Sequence, residues 1–154
     1  TILALPRKNL YKKEWIKACG WYPDYVTRIF NKNYTKFNNN LVHESVIVPK
    51  DSNFKKLDFG VKHYACSGIE SIVTKMNLYT SHSAKEKFKN SKKTSFSSAI
   101  LRFFVSFTKD YFFRKGIFYG YKGFIISFMN AQGSFLRYAK LYELNKDEET
   151  VNKL

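Results

Sequence analysis

Apolar and polar positions divide this chain near residue 67. Ahead of that point apolar side chains come in short runs or alternate with polar ones. Beyond it they recur every three or four residues. The first pattern predicts strands and the second predicts helices. Ile2-Leu3-Ala4-Leu5, stopped by Pro6, predicts a brief strand entering from a preceding neighbour. Residues 7–18 are basic and mixed, anchored by Leu10, Tyr11, Trp15 and Ile16, and Cys19-Gly20 breaks the pattern. Residues 25–30 are rich in β-formers and would set Val26, Arg28 and Phe30 on one face. An Asn-rich turn then leads into residues 41–48, which alternate. Val42, Glu44, Val46 and Val48 would share one side, and Leu41, His43, Ser45 and Ile47 the other. Residues 54–64 read as one further strand ending on His63-Tyr64.

The helical part opens at Ser67, a suitable N-cap with Glu70 three residues later. Ile69, Ile72, Val73, Met76, Leu78 and Tyr79 would line its apolar face, running out through Ala84 and Phe88. After a Lys-rich connector, Ser95 or Ser97 starts a second helix through Ile100, Leu101, Phe104, Phe107 and Tyr111. Gly116 and Gly120 punctuate the join to a third, over about residues 121–144. The fold class is therefore α/β: a few N-terminal strands followed by about three C-terminal helices. Residues 1–66 form the strand region, 67–144 a helical, basic and aromatic region, and 145–154 a charged tail. The balance suits the second half of an α/β domain better than a whole one.

Composition sharpens this outline. The chain has 154 residues, enough for one domain. Its formal charge of +15 calls for a partner that is negative somewhere: nucleic acid, an anionic membrane face, or a phosphorylated small molecule. Cys19 and Cys66 fit no metal spacing, which suits a reduced compartment. The chain begins with Thr inside a strand pattern, so no signal peptide is expected and residues are expected to be missing ahead of it. Residues 112–128 lean apolar, but Arg114, Lys115 and Lys122 interrupt them and argue against a membrane-spanning helix.

Candidate chemistry gathers between Gly20 and Glu44. Trp21 and Tyr22 offer an aromatic platform of the kind on which the C–H-rich face of a sugar packs. Asp24 at its edge could take a proton from a hydroxyl. The plainer alternative is an aspartate in a turn beside a core tryptophan. Arg28 could bind phosphate oxygens with its planar fork, or merely be solvated. His43-Glu44 joins a metal-ligand type to an acid, yet lacks the second histidine of a zinc-protease motif, and strand alternation turns the two apart. His63 and His82 have no acidic neighbours in sequence and are expected to be structural. Arg102, Lys109, Arg114, Lys115, Lys122, Arg137 and Lys140 interleave with Phe and Tyr over residues 100–142. Such helices could lie in a membrane interface, stack on single-stranded nucleic acid, or form a core with its cations in water. No recognised nucleic-acid-binding motif is present, which disfavours nucleic acid as the partner. Phosphate-loop, dinucleotide, nucleophile-elbow and Asp-x-Asp motifs are absent from the sequence.

Taken in order, several stretches resemble bacterial family 2 glycosyltransferases of the lipopolysaccharide and lipooligosaccharide core type, the β-1,4-glucosyltransferase-like group. They are Pro6-Arg7-Lys8-Asn9, Trp15-Ile16-Lys17, Cys19-Gly20-Trp21-Tyr22-Pro23-Asp24, Arg28-Ile29-Phe30, Val42-His43-Glu44 and His63-Tyr64. Phe113-Arg114-Lys115-Gly116-Ile117 follows with Gly120 and Gly123, then Tyr138-Ala139-Lys140-Leu141. The resemblance implies a partial GT-A fold whose nucleotide-binding N-terminal half, with its Asp-x-Asp metal motif, lies outside this chain. It implies inverting transfer of a hexose from a nucleotide-sugar donor to a lipid-linked oligosaccharide acceptor. The site would be cytoplasmic, peripheral to the inner membrane and against its anionic surface, and this portion alone would be inactive. By the same resemblance Asp24 is the first candidate for the base and Glu44 the second. Trp21, Tyr22 and Arg28 would bind substrate. His43 would complete a divalent cation site (Mg or Mn) whose main ligands lie elsewhere. The rival reading is a basic, aromatic module that binds nucleic acid or an anionic membrane without catalysis.

Overall fold

Strand β1 (Ile2–Tyr11) runs straight through Pro6 and is the common partner of every other strand among the described residues. The computed structural model describes residues 1–38 and 45–151. On one edge β1 pairs antiparallel with β3 (Tyr25–Ile29) and, at its far end, with the two-residue β2 (Glu14–Trp15). On the other edge it pairs in parallel, first with β4 (Phe54–Lys56) and then with β5 (Val61–Cys66).

Pro6 does not end the strand, contrary to the expectation, because its missing N–H falls where no partner needs one. Arg7 N donates to Asp24 O on the β3 edge, while the flanking Ala4 accepts from Leu57 on the opposite edge. Alternation therefore turns the nitrogen of Pro6 toward the gap between β4 and β5. Gly60 fills that gap: a Cβ there would lie 2.6 Å from Pro6 O. The same gap makes residues 54–64 two collinear strands rather than the single one their β-formers predict. Ile2, Ala4, Leu5, Leu10 and Tyr11 are buried. Ile16, Ala18, Cys19 and Val46 complete this core.

Of the alternating stretch 41–48, residues 41–44 lie outside the described residues. Val46 makes an isolated antiparallel bridge to Phe37 and belongs to no longer strand.

The chain forms two compact units, Thr1–Ser67 and Gly68–Leu154. Three α-helices build the described part of the second: α1 (Ile69–Lys89), α2 (Phe96–Thr108) and α3 (Gly120–Val151). Gly68, not Ser67, caps α1. Ser71 Oγ donates to Gly68 O at 2.9 Å and lies 3.4 Å from Gly68 N. Ser95 caps α2, its side chain accepting from Ser98 N. The covered stripe of α1 is Ile72, Met76, Thr80, Ala84 and Phe88, four residues apart, while Val73, Leu78 and Tyr79 stay exposed. Small residues allow this close approach: Ala84, Ala99, Ser127 and Ala131 are fully buried. Against α2, Phe103, Phe107 and Tyr111 interlock edge-to-face with Phe124 and Phe128 of α3.

A π-helical turn, Lys109–Phe113, and a 3₁₀ turn, Gly116–Tyr119, lead from α2 into α3. Gly123 packs against this corner so tightly that a Cβ would lie 1.8 Å from Gly116 O. Helix α3 continues past Leu144 where a charged tail was expected. Asn145 is buried, donating to Lys92 O and accepting from Thr94 N. Among the described residues no helix is long and apolar enough to cross a membrane.

Candidate functional site

Register across three strands assembles one polar cluster in the first unit. In β1, Arg7 and Asn9 are two residues apart and so face the same side of the sheet. Asn9 pairs with His63 of β5. Asp24 immediately precedes β3 and lies opposite Arg7, whose N–H donates to Asp24 O at 2.7 Å. These placements bring His63, Asn9, Arg7 and Asp24 together although they span 57 positions of sequence (63 − 7 + 1).

Asn9, 7% exposed, is the hub. Its Nδ2 donates to Asp24 Oδ2 at 2.8 Å and to Trp21 O at 3.0 Å. His63 Nδ1 lies 2.6 Å from Asn9 Oδ1, and because that oxygen only accepts, the Nδ1–H donates. Arg7 donates Nε to Asp24 Oδ2 at 2.9 Å, and its Nη2 is 2.8 Å from the same oxygen. Three donor groups thus converge on Oδ2, and none among the described residues donates to Oδ1. The Asp24 side chain is 26% exposed, so solvent or a ligand can reach the carboxylate.

The turn leading to Asp24 is built from strained and aromatic residues. Cys19 and Gly20 take positive φ (56° and 76°), and Trp21 N donates to Ala18 O. The Tyr22–Pro23 peptide is cis. Tyr22 meets Trp15 edge-to-face with ring centroids 5.3 Å apart, and the ammonium groups of Lys8 and Lys17 sit over the Trp15 ring at 4.9 and 4.2 Å. Trp21 is half-buried and Tyr22 exposed at the surface of this turn.

Trp21, Tyr22 and Asp24 are therefore neighbours, as their spacing suggested. Arg28 stands apart, about 13 Å along the extended strand from Asp24. Its guanidinium lies 5.9 Å from the Phe37 ring and makes a long hydrogen bond to Thr27 O. His43 and Glu44 lie outside the described residues. Arg7, Asn9 and His63 had not been singled out for a role in the site. The signals were the stretches Pro6-Arg7-Lys8-Asn9 and His63-Tyr64, which say nothing of their partners. The described residues hold no cluster of three His, Cys, Asp or Glu side chains fit for a metal ion, and Asp24 is committed to Arg7 and Asn9. Neither cysteine forms a disulfide.

In the helical unit many large apolar side chains remain in solvent. Phe113 and Phe118 are each 81% exposed, and Leu101, Phe104 and Phe112 are exposed beside Arg102, Lys109 and Lys115.

The sequence is similar to those of several known proteins. The chain is 34% identical over 132 residues to an uncharacterized glycosyltransferase of Rickettsia prowazekii, a match covering 81% of this chain and 45% of that protein. It is 36% identical over 124 residues to an uncharacterized glycosyltransferase of Rickettsia felis, covering 76% and 44%. A similarly named protein of Rickettsia bellii is 35% identical over 126 residues, covering 77% and 43%. The chain spans less than half the length of these relatives. Their shared designation supports a transferase. No family model and no solved structure matches the chain.

Proposed function

We propose that this chain is the acceptor-side portion of a longer inverting glycosyltransferase of the GT-A type. The whole enzyme transfers a hexose from a nucleotide sugar to a lipid-linked core oligosaccharide in cell-envelope polysaccharide synthesis. Similarity to named glycosyltransferases over three quarters or more of the chain supports the class. The observation that carries the mechanism is the asymmetric anchoring of Asp24: Oδ2 is held by Arg7 and Asn9, leaving Oδ1 without a protein donor among the described residues.

In this reading the apolar face of the acceptor sugar packs on Trp21 and Tyr22, and its hydroxyl approaches Asp24 Oδ1. The hydroxyl oxygen forms a bond to the anomeric carbon of the donor. The bond from that carbon to the nucleoside diphosphate breaks on the opposite face, inverting the centre, and the hydroxyl proton passes to Asp24. Arg7 and Asn9 fix the carboxylate before the acceptor arrives. Glu44 is the second candidate for the base, Arg28 a contact for an acceptor phosphate or acid group, and His43 a further ligand for a divalent cation. That cation would supply charge neutralisation to the departing diphosphate, and its main ligands would lie outside this chain.

The exposed aromatic and basic side chains of the helical unit support a peripheral position on the cytoplasmic, anionic face of the inner membrane. Each suitably placed cation there contributes about 1 kcal/mol of attraction. Flotation of the chain with anionic but not neutral liposomes is expected.

The decisive experiment uses the full-length parent enzyme. Asp24→Asn keeps the side chain's shape and is expected to lower turnover by roughly 10²–10⁴-fold while leaving donor affinity nearly unchanged. Unaltered turnover removes Asp24 as the base.

A further inference from the structure

A cavity of about 270 Å³ lies within the helical unit between α2, the π-helical turn and α3. Four cationic side chains line it: Arg102, Lys109, Arg114 and Arg137. Asp110 is its single acid. Asp110 is 4% exposed and fully engaged, Oδ1 accepting from Arg114 at 3.0 Å and Oδ2 from Asn130 at 2.8 Å. It orients Arg114 and leaves the other three cations uncompensated by any acid among the described residues.

One of those cations, Arg102, is pre-set for an anion. The Arg102 guanidinium lies 3.9 Å from the centroid of the Tyr138 ring, so the aromatic face holds the group while its N–H edges remain for acceptors in its own plane. Arg137 Nε is shut off from solvent and has no hydrogen-bond partner. A water-sized oxygen in the cavity cannot touch that atom, so it is the outer Nη groups of Arg137 that are left to meet an anion. Ser106 and Ser134, whose hydroxyls are 3.4 Å apart, add neutral donors to the same wall. Several positive groups around one small volume, with hydroxyl donors and a single pre-engaged acid, match a group with several anionic oxygens.

We infer that this cavity binds the phosphate of a phosphomonoester or diphosphate. The site is independent of the assignment of Asp24, since all its residues belong to the helical unit. Its phosphate could come from a soluble compound or from a lipid headgroup, and the test separates the two.

The 154-residue chain is titrated with inorganic phosphate and with pyrophosphate by calorimetry. It is also floated with phosphatidylcholine vesicles that contain phosphatidic acid. Arg102→Gln and Arg137→Gln are compared with Lys85→Gln, which removes one charge from an exposed position of α1. Each arginine variant is expected to weaken binding about tenfold or more, the lysine variant by no more than about twofold. Arginine-dependent binding of pyrophosphate identifies a soluble source, and arginine-dependent binding confined to the vesicles identifies a lipid one. Equal losses in all three variants would show diffuse charge attraction and overturn the proposal, as would no binding of any of the three probes. Circular dichroism verifies folding, and Arg102→Gln, on the exposed rim, decides the outcome if Arg137→Gln does not fold.

Discussion

Arg7 closes on a single oxygen of Asp24: its Nε lies 2.9 Å and its Nη2 2.8 Å from Oδ2. The pair ties the middle of β1 to the turn that carries Trp21 and Tyr22. Because both groups are partly exposed, the ion pair matters less for net stability than for fixing where the free oxygen points.

Asn9 bears more of the structural load. Asn9→Ala would remove, from a nearly buried position, one of the donors to Asp24, the donor to Trp21 O and the acceptor for His63 Nδ1. A loss of roughly 1–3 kcal/mol is expected by denaturant unfolding. Arg7→Lys keeps the charge but loses the fork and should cost less, about 1 kcal/mol or below.

The corner between α2 and α3 depends on the absence of one methyl group. Gly123→Ala would place a carbon 1.8 Å from Gly116 O, so the corner must move, at an expected cost of about 2 kcal/mol or more. Gly133→Ala meets only the flexible Met76 side chain, at 3.5 Å, and should instead stabilise α3 by up to about 1 kcal/mol. Thermal unfolding of the two variants should therefore shift in opposite directions.

Asn145 distinguishes a packed helix end from a loose tail. Asn145→Ala removes the donor to Lys92 O and the acceptor for Thr94 N. Destabilisation of roughly 1–3 kcal/mol is expected, together with faster amide exchange at Thr94. A silent substitution would mean that the helix end does not hold the α1–α2 connector.

Lys140 predicts a pH dependence. Its Nζ has four acceptors within reach on α1: Asn77 O, Asn77 Oδ1, Thr80 Oγ1 and Ser81 Oγ. Desolvation nonetheless lowers its pKa below 10.5, with Glu143 opposing the shift. The unfolded chain therefore holds this proton more tightly, and the resulting penalty on the fold is fully present below the folded pKa. It fades as pH rises toward 10.5. Stability of the parent chain relative to Lys140→Met should rise with pH through that alkaline window, and parallel curves would contradict the shift.

The strand-to-helix change at residue 67, the existence of three helices and the neighbourhood of Trp21, Tyr22 and Asp24 were legible in the sequence, because all rest on local spacing. Periodicity is set by bond geometry within a few residues, so it survives without knowledge of the fold. The Arg7–Asn9–Asp24–His63 cluster was not legible. It depends on β1 pairing with β3 on one edge and β5 on the other, and hydrogen-bond register between strands far apart in sequence leaves no local trace. Pro6 shows the same limit: alone it signals a stop, and only the gap opposite it between β4 and β5 makes it harmless. The cations of residues 100–142 were visible one by one. That Arg102, Lys109, Arg114 and Arg137 share one cavity follows from the packing of α2 on α3, which spacing along either helix does not contain.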